Sequence, residues 1–272
     1  EVELPIDSSL TRKTRLMEVS DDGANQTTIF CQTEPAGDKT RLIFIAPGDF
    51  LQKSKRTFFL YYDATGDEVD NELPAGAVTC TDDKEGTKWI ENEHYRLFIS
   101  PVGAHIYRWE VKALDNMDLT EPGETEWRGF ADLMGKYRNS IYNLEVVCNG
   151  PALVRLKFTD EEGNIKTISA WAGVPWVEVT FDQAVSGFWC YDNAKLIGPN
   201  STTPGTYLFS AGTTDSLKEK AGGNRVYWSA KYLKDGPILA VLTPADKAEQ
   251  GIGPGGGDGG IGVGGVAHYA IY

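Results

Sequence analysis

The sequence predicts an all-β protein, an antiparallel β-sandwich with a small N-terminal β unit. Three observations carry this. Apolar runs are short, rich in Val, Ile, Tyr, Phe and Trp, and bounded by Gly, Pro, Asn or Asp, which is the signature of strands. No amphipathic stretch of helical period stands out anywhere along the chain. At 272 residues and 41% apolar content, the chain has enough apolar side chain to bury a core.

Taken in order, Arg41–Ile45 and Thr57–Tyr62 read as strands, with Pro47-Gly48-Asp49 turning between them. Tyr95–Ile99, His105–Val111, Leu144–Cys148, Leu153–Phe158, Ile165–Ala170, Trp176–Phe181, Val226–Tyr232 and Ile238–Leu242 follow. Glu161-Glu162-Gly163-Asn164 reads as a hairpin turn between two of them. The polar, acidic stretch near residues 63–86 suggests a boundary: a small β unit over 1–63, an acidic linker over 64–86 and a larger sandwich over 87–272. Clustered carboxylates there, such as Asp67, Glu68, Asp70 and Glu72, suit calcium, but without EF-hand spacing, and a solvated linker is the plainer expectation. No other cofactor is expected.

The C-terminal run GIGPGGGDGGIGVGGVAHYAIY spends ten of the 30 glycines within residues 251–265. A phosphate cradle needs a strand before its glycines, a helix after them and a Lys or acidic ribose ligand at a set distance. Here Val266–Tyr272 reads as a strand instead, so the glycines read as a surface loop whose backbone can approach a flat ligand closely.

A net charge of −13 disfavours nucleic acid and anionic membranes as partners and leaves neutral ligands open. No apolar run has the length of a membrane span, and Glu1-Val2-Glu3-Leu4 is no signal-peptide start, so the chain reads as mature or as excised from a larger protein. Cys31, Cys80, Cys148 and Cys190 show no CxxC spacing; their even number permits two disulfides, with Cys148 and Cys190 expected nearer each other than either is to Cys31. Asn25-Gln26-Thr27 and Asn200-Ser201-Thr202 fit the N-glycosylation pattern, which leans towards a secreted or cell-surface glycoprotein.

The segment ENEHYRLFISPVGAHIYRWEV, residues 91–111, resembles the opening hairpin of galactose mutarotase-like β-supersandwich domains. The resemblance covers that hairpin and the strand-rich pattern running on to Tyr272. It implies a supersandwich-like fold and carbohydrate as ligand, since the family includes aldose epimerases, sugar-binding domains of glycosidases and domains of polysaccharide lyases. Epimerases of this type use a histidine pair and a late glutamate. Here His94 and His105 both flank the first hairpin, His268 is at the end, and no Glu stands in a comparable late motif.

Seven tryptophans and twelve tyrosines invite a sugar-stacking reading, because the apolar face of a pyranose packs on such rings while polar neighbours take its hydroxyls. The stretch from Glu124 to Asn139 reads as a loop that gathers Trp127, Arg128, Asp132, Tyr137 and Arg138: a stacking ring, two forked donors and an acceptor. A buried Arg–Asp pair stapling that loop to the sandwich is the alternative. Gly187–Asn193 offers Trp189 and Tyr191 at a strand end. Tyr137 with Arg138, Arg128 and His105 would also suit a lyase, in which a base takes the proton α to a uronate carboxylate that a cation neutralises. The preferred expectation is a non-catalytic, carbohydrate-recognising domain of a larger exported polysaccharide-processing protein, with poly- or oligosaccharide as partner. A lyase or epimerase on the same scaffold and a structural matrix protein are the alternatives. The fold class is tested by far-UV circular dichroism: a sheet-type spectrum is expected, and the double minimum of helix would contradict it.

Overall fold

The structure, a computed structural model, describes residues 1–6, 14–20, 22–29, 31–46, 48, 55–62, 76–118, 129–131, 141–182, 188–191, 208–211, 226–232, 238–242, 260–261 and 266–271, with the strand at Gly129–Ala131 and all strands beyond residue 182 as backbone alone. Strands dominate. Helical content among the described residues is limited to single 3-10 turns such as Lys84–Gly86 and Lys112–Leu114. No helix among them is long and apolar enough to cross a membrane.

The N-terminal unit comprises β1 (Val2–Leu4), β2 (Thr14–Val19), β3 (Gln26–Ile29), β4 (Cys31–Ala36), β5 (Lys39–Phe44) and β6 (Thr57–Tyr62). They form two three-stranded sheets, β1-β5-β4 and β3-β2-β6. Leu16, Ile29 and Leu42 are buried between them, with Leu4, Cys31, Phe44, Phe58 and Leu60 packed around. The Phe44 and Phe58 rings lie 5.3 Å apart across this small core. The expected turn joining β5 to β6 does not make them a hairpin. β5 already has β1 on one edge and β4 on the other, so β6 pairs β2 in the opposite sheet.

β7 (Thr79–Asp82) falls within the stretch expected as linker, and it pairs with β8 (Lys88–Glu91). There follow β9 (Tyr95–Ser100), β10 (His105–Val111), β11 (Met117–Asp118), β12 (Gly129–Ala131), β13 (Asn143–Asn149), β14 (Leu153–Thr159), β15 (Ile165–Trp171), β16 (Trp176–Phe181), β17 (Phe188–Tyr191), β18 (Leu208–Ala211), β19 (Val226–Tyr232), β20 (Ile238–Leu242), β21 (Gly260–Ile261) and β22 (Val266–Ile271). One sheet runs β21-β17-β12-β10-β9-β8-β7, with β11 added on β10; the other runs β13-β14-β15-β16-β22-β20-β19-β18. Neighbouring strands in these two sheets pair antiparallel, as in β14 with β15 and β16 with β22.

Period-two alternation builds the core between the sheets. In β9, Tyr95, Leu97 and Ile99 are fully buried while Arg96, Phe98 and Ser100 take the other face. They meet Trp109 and Val111 of β10 and, from the second sheet, Leu156, Phe158, Ile168, Ala170, Val177 and Val179. Tyr95 and Trp109 pack edge-on at 5.5 Å, and each such large side chain contributes roughly 1.5–3 kcal/mol by its burial. The expected hairpin turn is present between β14 and β15. Asp160 Oδ1 accepts from the Glu162 and Asn164 amides at 2.9 and 2.8 Å, and Gly163 takes φ +86°, a value L side chains rarely adopt.

Three carboxamides, two of them buried, join the pieces. Gln32 of β4 inserts into the β13–β14 turn, where its Nε2 donates to the Leu153 carbonyl at 3.2 Å and its Oε1 accepts from the Ala152 and Leu153 amides at 3.2 and 3.0 Å. Around it Ile43 packs with Cys148, Ala152 and Leu153, and Glu34 pairs with Arg41 at 2.9 Å and reaches Arg155 at 3.7 Å. Asn92, in the β8–β9 turn, donates to the Trp171 and Val174 carbonyls and accepts from the His94 and Tyr95 amides. Asn149, at the end of β13, exchanges two bonds with the backbone of Cys80 on β7. β13 itself is an edge strand, with Val146 and Val147 exposed and a register shift between Val146 and Cys148.

Cys31, Cys80 and Cys148 are free thiols, so the two disulfides that four cysteines permit do not form. The reason is placement: Cys80 lies in the main core, Cys148 in the junction cluster and Cys31 against the N-terminal core. Cys148 packs beside Ile43 of the N-terminal unit, whereas Cys190 is on β17 of the other large sheet. Asn25 is exposed between β2 and β3; Asn200 and the acidic residues 63–75 lie outside the described residues.

Two outcomes are expected. Gln32→Ala strands buried backbone groups of Ala152 and Leu153 and lowers stability by about 1–3 kcal/mol, measured by urea denaturation. Burial pushes the Cys80 thiol up to about 11 and that of Cys148 up to about 12, so both resist alkylation in the native state at mildly alkaline pH and react once the protein is denatured.

Candidate functional site

The face of the first large sheet that turns away from the core carries its chemistry in two tiers. Register fixes the first: Thr81 of β7 stands opposite Trp89, Trp89 opposite Phe98, and Phe98 opposite Arg108. Trp89 and Phe98 pack at 4.8 Å between ring centroids. A register shift between Ile106 and Arg108 admits Tyr107 as an extra residue, and its ring meets Phe98 edge-on at 6.2 Å. The Arg96 guanidinium lies 3.9 Å over the Trp89 ring, a cation–π contact. The result is a partly exposed run of aromatic surface across three strands.

The second tier is ionic. Glu91, Arg96, Glu110 and Asp118 follow one another across β8, β9, β10 and β11 in direct register. Arg108 reaches Glu110 at 2.8 Å and Asp118 at 3.1 Å, and Arg96 lies 3.7 Å from Glu91 and 3.9 Å from Glu110. Lys112 closes the row on Glu91 at 2.5 Å. Glu110 is 7% exposed under its two guanidinium partners, whereas Arg96 and Arg108 keep nearly half of their side-chain surface open. Alternating cations and carboxylates offer both donors and acceptors to a polyhydroxylated ligand. His105 stands opposite Ser100 on this face at the start of β10 and is mostly buried.

Three segments that sequence reading singled out separately meet at the far edge of the same sheet. The stretch expected as a loop around Trp127 contains strand β12, because Gly129–Ala131 pairs with both β10 and β17. Across that pairing Ala131 stands opposite Trp189 and Gly129 opposite Tyr191. Gly260 and Ile261, within the glycine-rich run expected as a loop, add β21 beside Trp189 and Phe188. Phe130 and Cys190 share the register of the buried Ile106, while Trp189 and Tyr191 take the alternate register. Trp127, Arg128, Asp132, Tyr137 and Arg138 lie outside the described residues, although Arg128 directly precedes β12 in the chain.

The histidines do not converge. Lys112 donates to the His94 carbonyl at one end of the β9–β10 hairpin, and His105 begins β10 at the other, so the length of β9, roughly 17–20 Å, separates them. His268 is on β22 in the opposite sheet, in register with Glu178 and Leu242. Among the described residues no group of three or more His, Cys, Asp or Glu is arranged to hold a metal.

Sequence reading missed Trp89, Phe98, Tyr107, Arg108 and Glu110. The signal was present in Tyr95–Ser100, where Arg96 and Phe98 alternate with core residues: an aromatic at an outward position of a strand is one the core does not use. No protein-family model matches the chain, and no curated protein matches it. Among solved structures it is similar to a galactose mutarotase-like protein from Lactobacillus casei ATCC 334, at 13% identity and a TM-score of 0.35, over 68% of this chain and 87% of that one. The likeness is a weak one of fold, and no residue's role is carried over from it.

Proposed function

We propose that the chain is a non-catalytic carbohydrate-recognising domain of an exported polysaccharide-processing protein. One observation carries this reading: the open sheet face that pairs the Trp89, Phe98 and Tyr107 rings with the Glu91, Arg96, Glu110, Arg108 and Asp118 row. A sugar ring is itself two-sided, with apolar C–H groups on its faces and hydroxyls around its rim, and the two tiers match those halves. In this reading the glycan continues along the sheet to β17, the strand that carries Trp189 and Tyr191. Trp127 would supply a further stacking ring, and Arg128, Asp132, Tyr137 and Arg138 the groups that bind hydroxyls or carboxylates.

The same pairs support the binding reading. Both Glu110 and Asp118 are engaged by Arg108, an arrangement suited to holding hydroxyls. A second reading, a polysaccharide lyase, is favoured by the presence of His105, Tyr107 and Arg108 on one strand, β10, which offers a base and a cation for a uronate. Formation of unsaturated uronate, followed by near-ultraviolet absorbance on polygalacturonate and alginate, distinguishes the two: a steady rise establishes the lyase.

For binding, Phe98→Ala and Trp127→Ala are each expected to weaken affinity for the retained glycan by about thirtyfold, roughly 2 kcal/mol. Titration calorimetry on glycans selected from an array measures this, beside thermal melting. Unchanged affinity with a lowered melting temperature would return the substituted ring to a structural role.

A further inference from the structure

We propose that the outward face of the β3-β2-β6 sheet is a second glycan-contact platform, separate from the face described above. The proposal rests on the carbohydrate reading of the chain. Its starting point is two rings that folding does not use. Phe59 and Tyr61 are 49% and 51% exposed, two residues apart on the edge strand β6. The opposite face of the same strands holds Leu16, Ile29, Phe58 and Leu60, which build the small core. Alternation therefore directs Phe59 and Tyr61 to solvent by design of the strand, about 6.6 Å apart along it.

The register defines what surrounds them. Met17 stands between Thr28 and Phe59, Arg15 is opposite Tyr61, and Val19 stands between Gln26 and Thr57. Met17 is 7% exposed, and Thr28 Oγ1 donates to its sulfur at 3.4 Å. Arg15, Gln26 and Thr28 are exposed, and Arg15 Nη2 donates to Thr28 Oγ1 at 3.1 Å, which holds the guanidinium against the sheet. Two half-exposed rings, with a guanidinium, a carboxamide and a hydroxyl among their neighbours in register, reproduce on a smaller scale the combination that suits a pyranose.

Size decides between a glycan and a protein partner. Three strands of up to six residues present roughly 14 by 20 Å, about 280 Å², whereas a stable protein interface takes about 800 Å² from each partner. The face accommodates two or three sugar rings. Arg15 is the only charged residue among its described outward positions, in a chain of net charge −13, so the platform also tolerates a uronate where most of the surface repels one.

Native gel electrophoresis through alginate, polygalacturonate, xylan or barley β-glucan tests the proposal, with melting temperatures measured in parallel. Wild type, the double variant Phe59→Ala/Tyr61→Ala, Arg15→Gln and Phe98→Ala are compared. The double variant is expected to lose roughly tenfold or more in affinity for whichever polysaccharide retards the wild type, while melting as the wild type does. Wild-type retardation of the double variant overturns the platform and leaves the larger site standing. Loss in the double variant with full retention in Phe98→Ala supports the platform and overturns the assignment of the larger face. Failure of all four polysaccharides to retard the wild type overturns both. If the double variant melts early, Arg15→Gln, which keeps both rings, decides: weakened retardation supports the platform and unchanged retardation overturns it.

Discussion

A carboxamide presents two donor hydrogens and an acceptor oxygen in one neutral plane, and this fold depends on three of them where backbone ladders run out. Strands satisfy one another within a sheet, but turns that meet across a sandwich bring unpaired amides and carbonyls together out of water. Asn92 resolves this between the two large sheets, Asn149 fastens β7, and Gln32 plugs the β13–β14 turn from the N-terminal unit. At the last of these the fit requires glycine next door. A Cβ at Gly150 would fall 2.3 Å from the Gln32 carboxamide, whose three bonds leave it no room to move.

That junction alters how the two units relate. Their boundary in the chain is polar and acidic, which suggests modules on a tether, yet Ile43, Cys148, Ala152 and Leu153 form a buried cluster between them. Glu1, Glu34, Arg41 and Arg155 surround it with a network of alternating charge. The junction thus joins the two units through packed side chains and ion pairs, and the polar stretch between them in the chain is not their sole connection.

The long strands of the larger unit were legible in the sequence because their side chains make the pattern themselves. Tyr95–Ile99, His105–Val111, Leu153–Phe158 and Trp176–Phe181 were read almost to the residue, since each is rich in aromatic or β-branched residues and most end in a turn residue. β2, β3 and β4 escaped notice because TRLMEV, QTTI and CQTEPA bury few apolar side chains and draw their order from neighbours across the sheet. β12 and β21 escaped for a stronger reason. Gly129-Phe130-Ala131 and Gly260-Ile261 have almost no side-chain pattern, and pairing makes them strands, with β10 and β17 for the first and with β17 for the second. The site followed the same logic: the aromatic and arginine content was visible, but which residues share a face depends on registers such as Phe98 with Arg108 that no local window contains.

The register shift in β13 has a consequence for the protein in solution. An edge strand that exposes Val146 and Val147 is a ready template for another copy's strand, and at the rim of an eight-stranded sheet nothing within the sheet covers it. The extra residue between Val146 and Cys148 interrupts the regular spacing of amides and carbonyls along that rim and increases its local twist. An incoming strand would lose its ladder halfway along. A defect in pairing inside the fold thereby acts as a guard against pairing between molecules, and it does so without placing a charge on the valine surface.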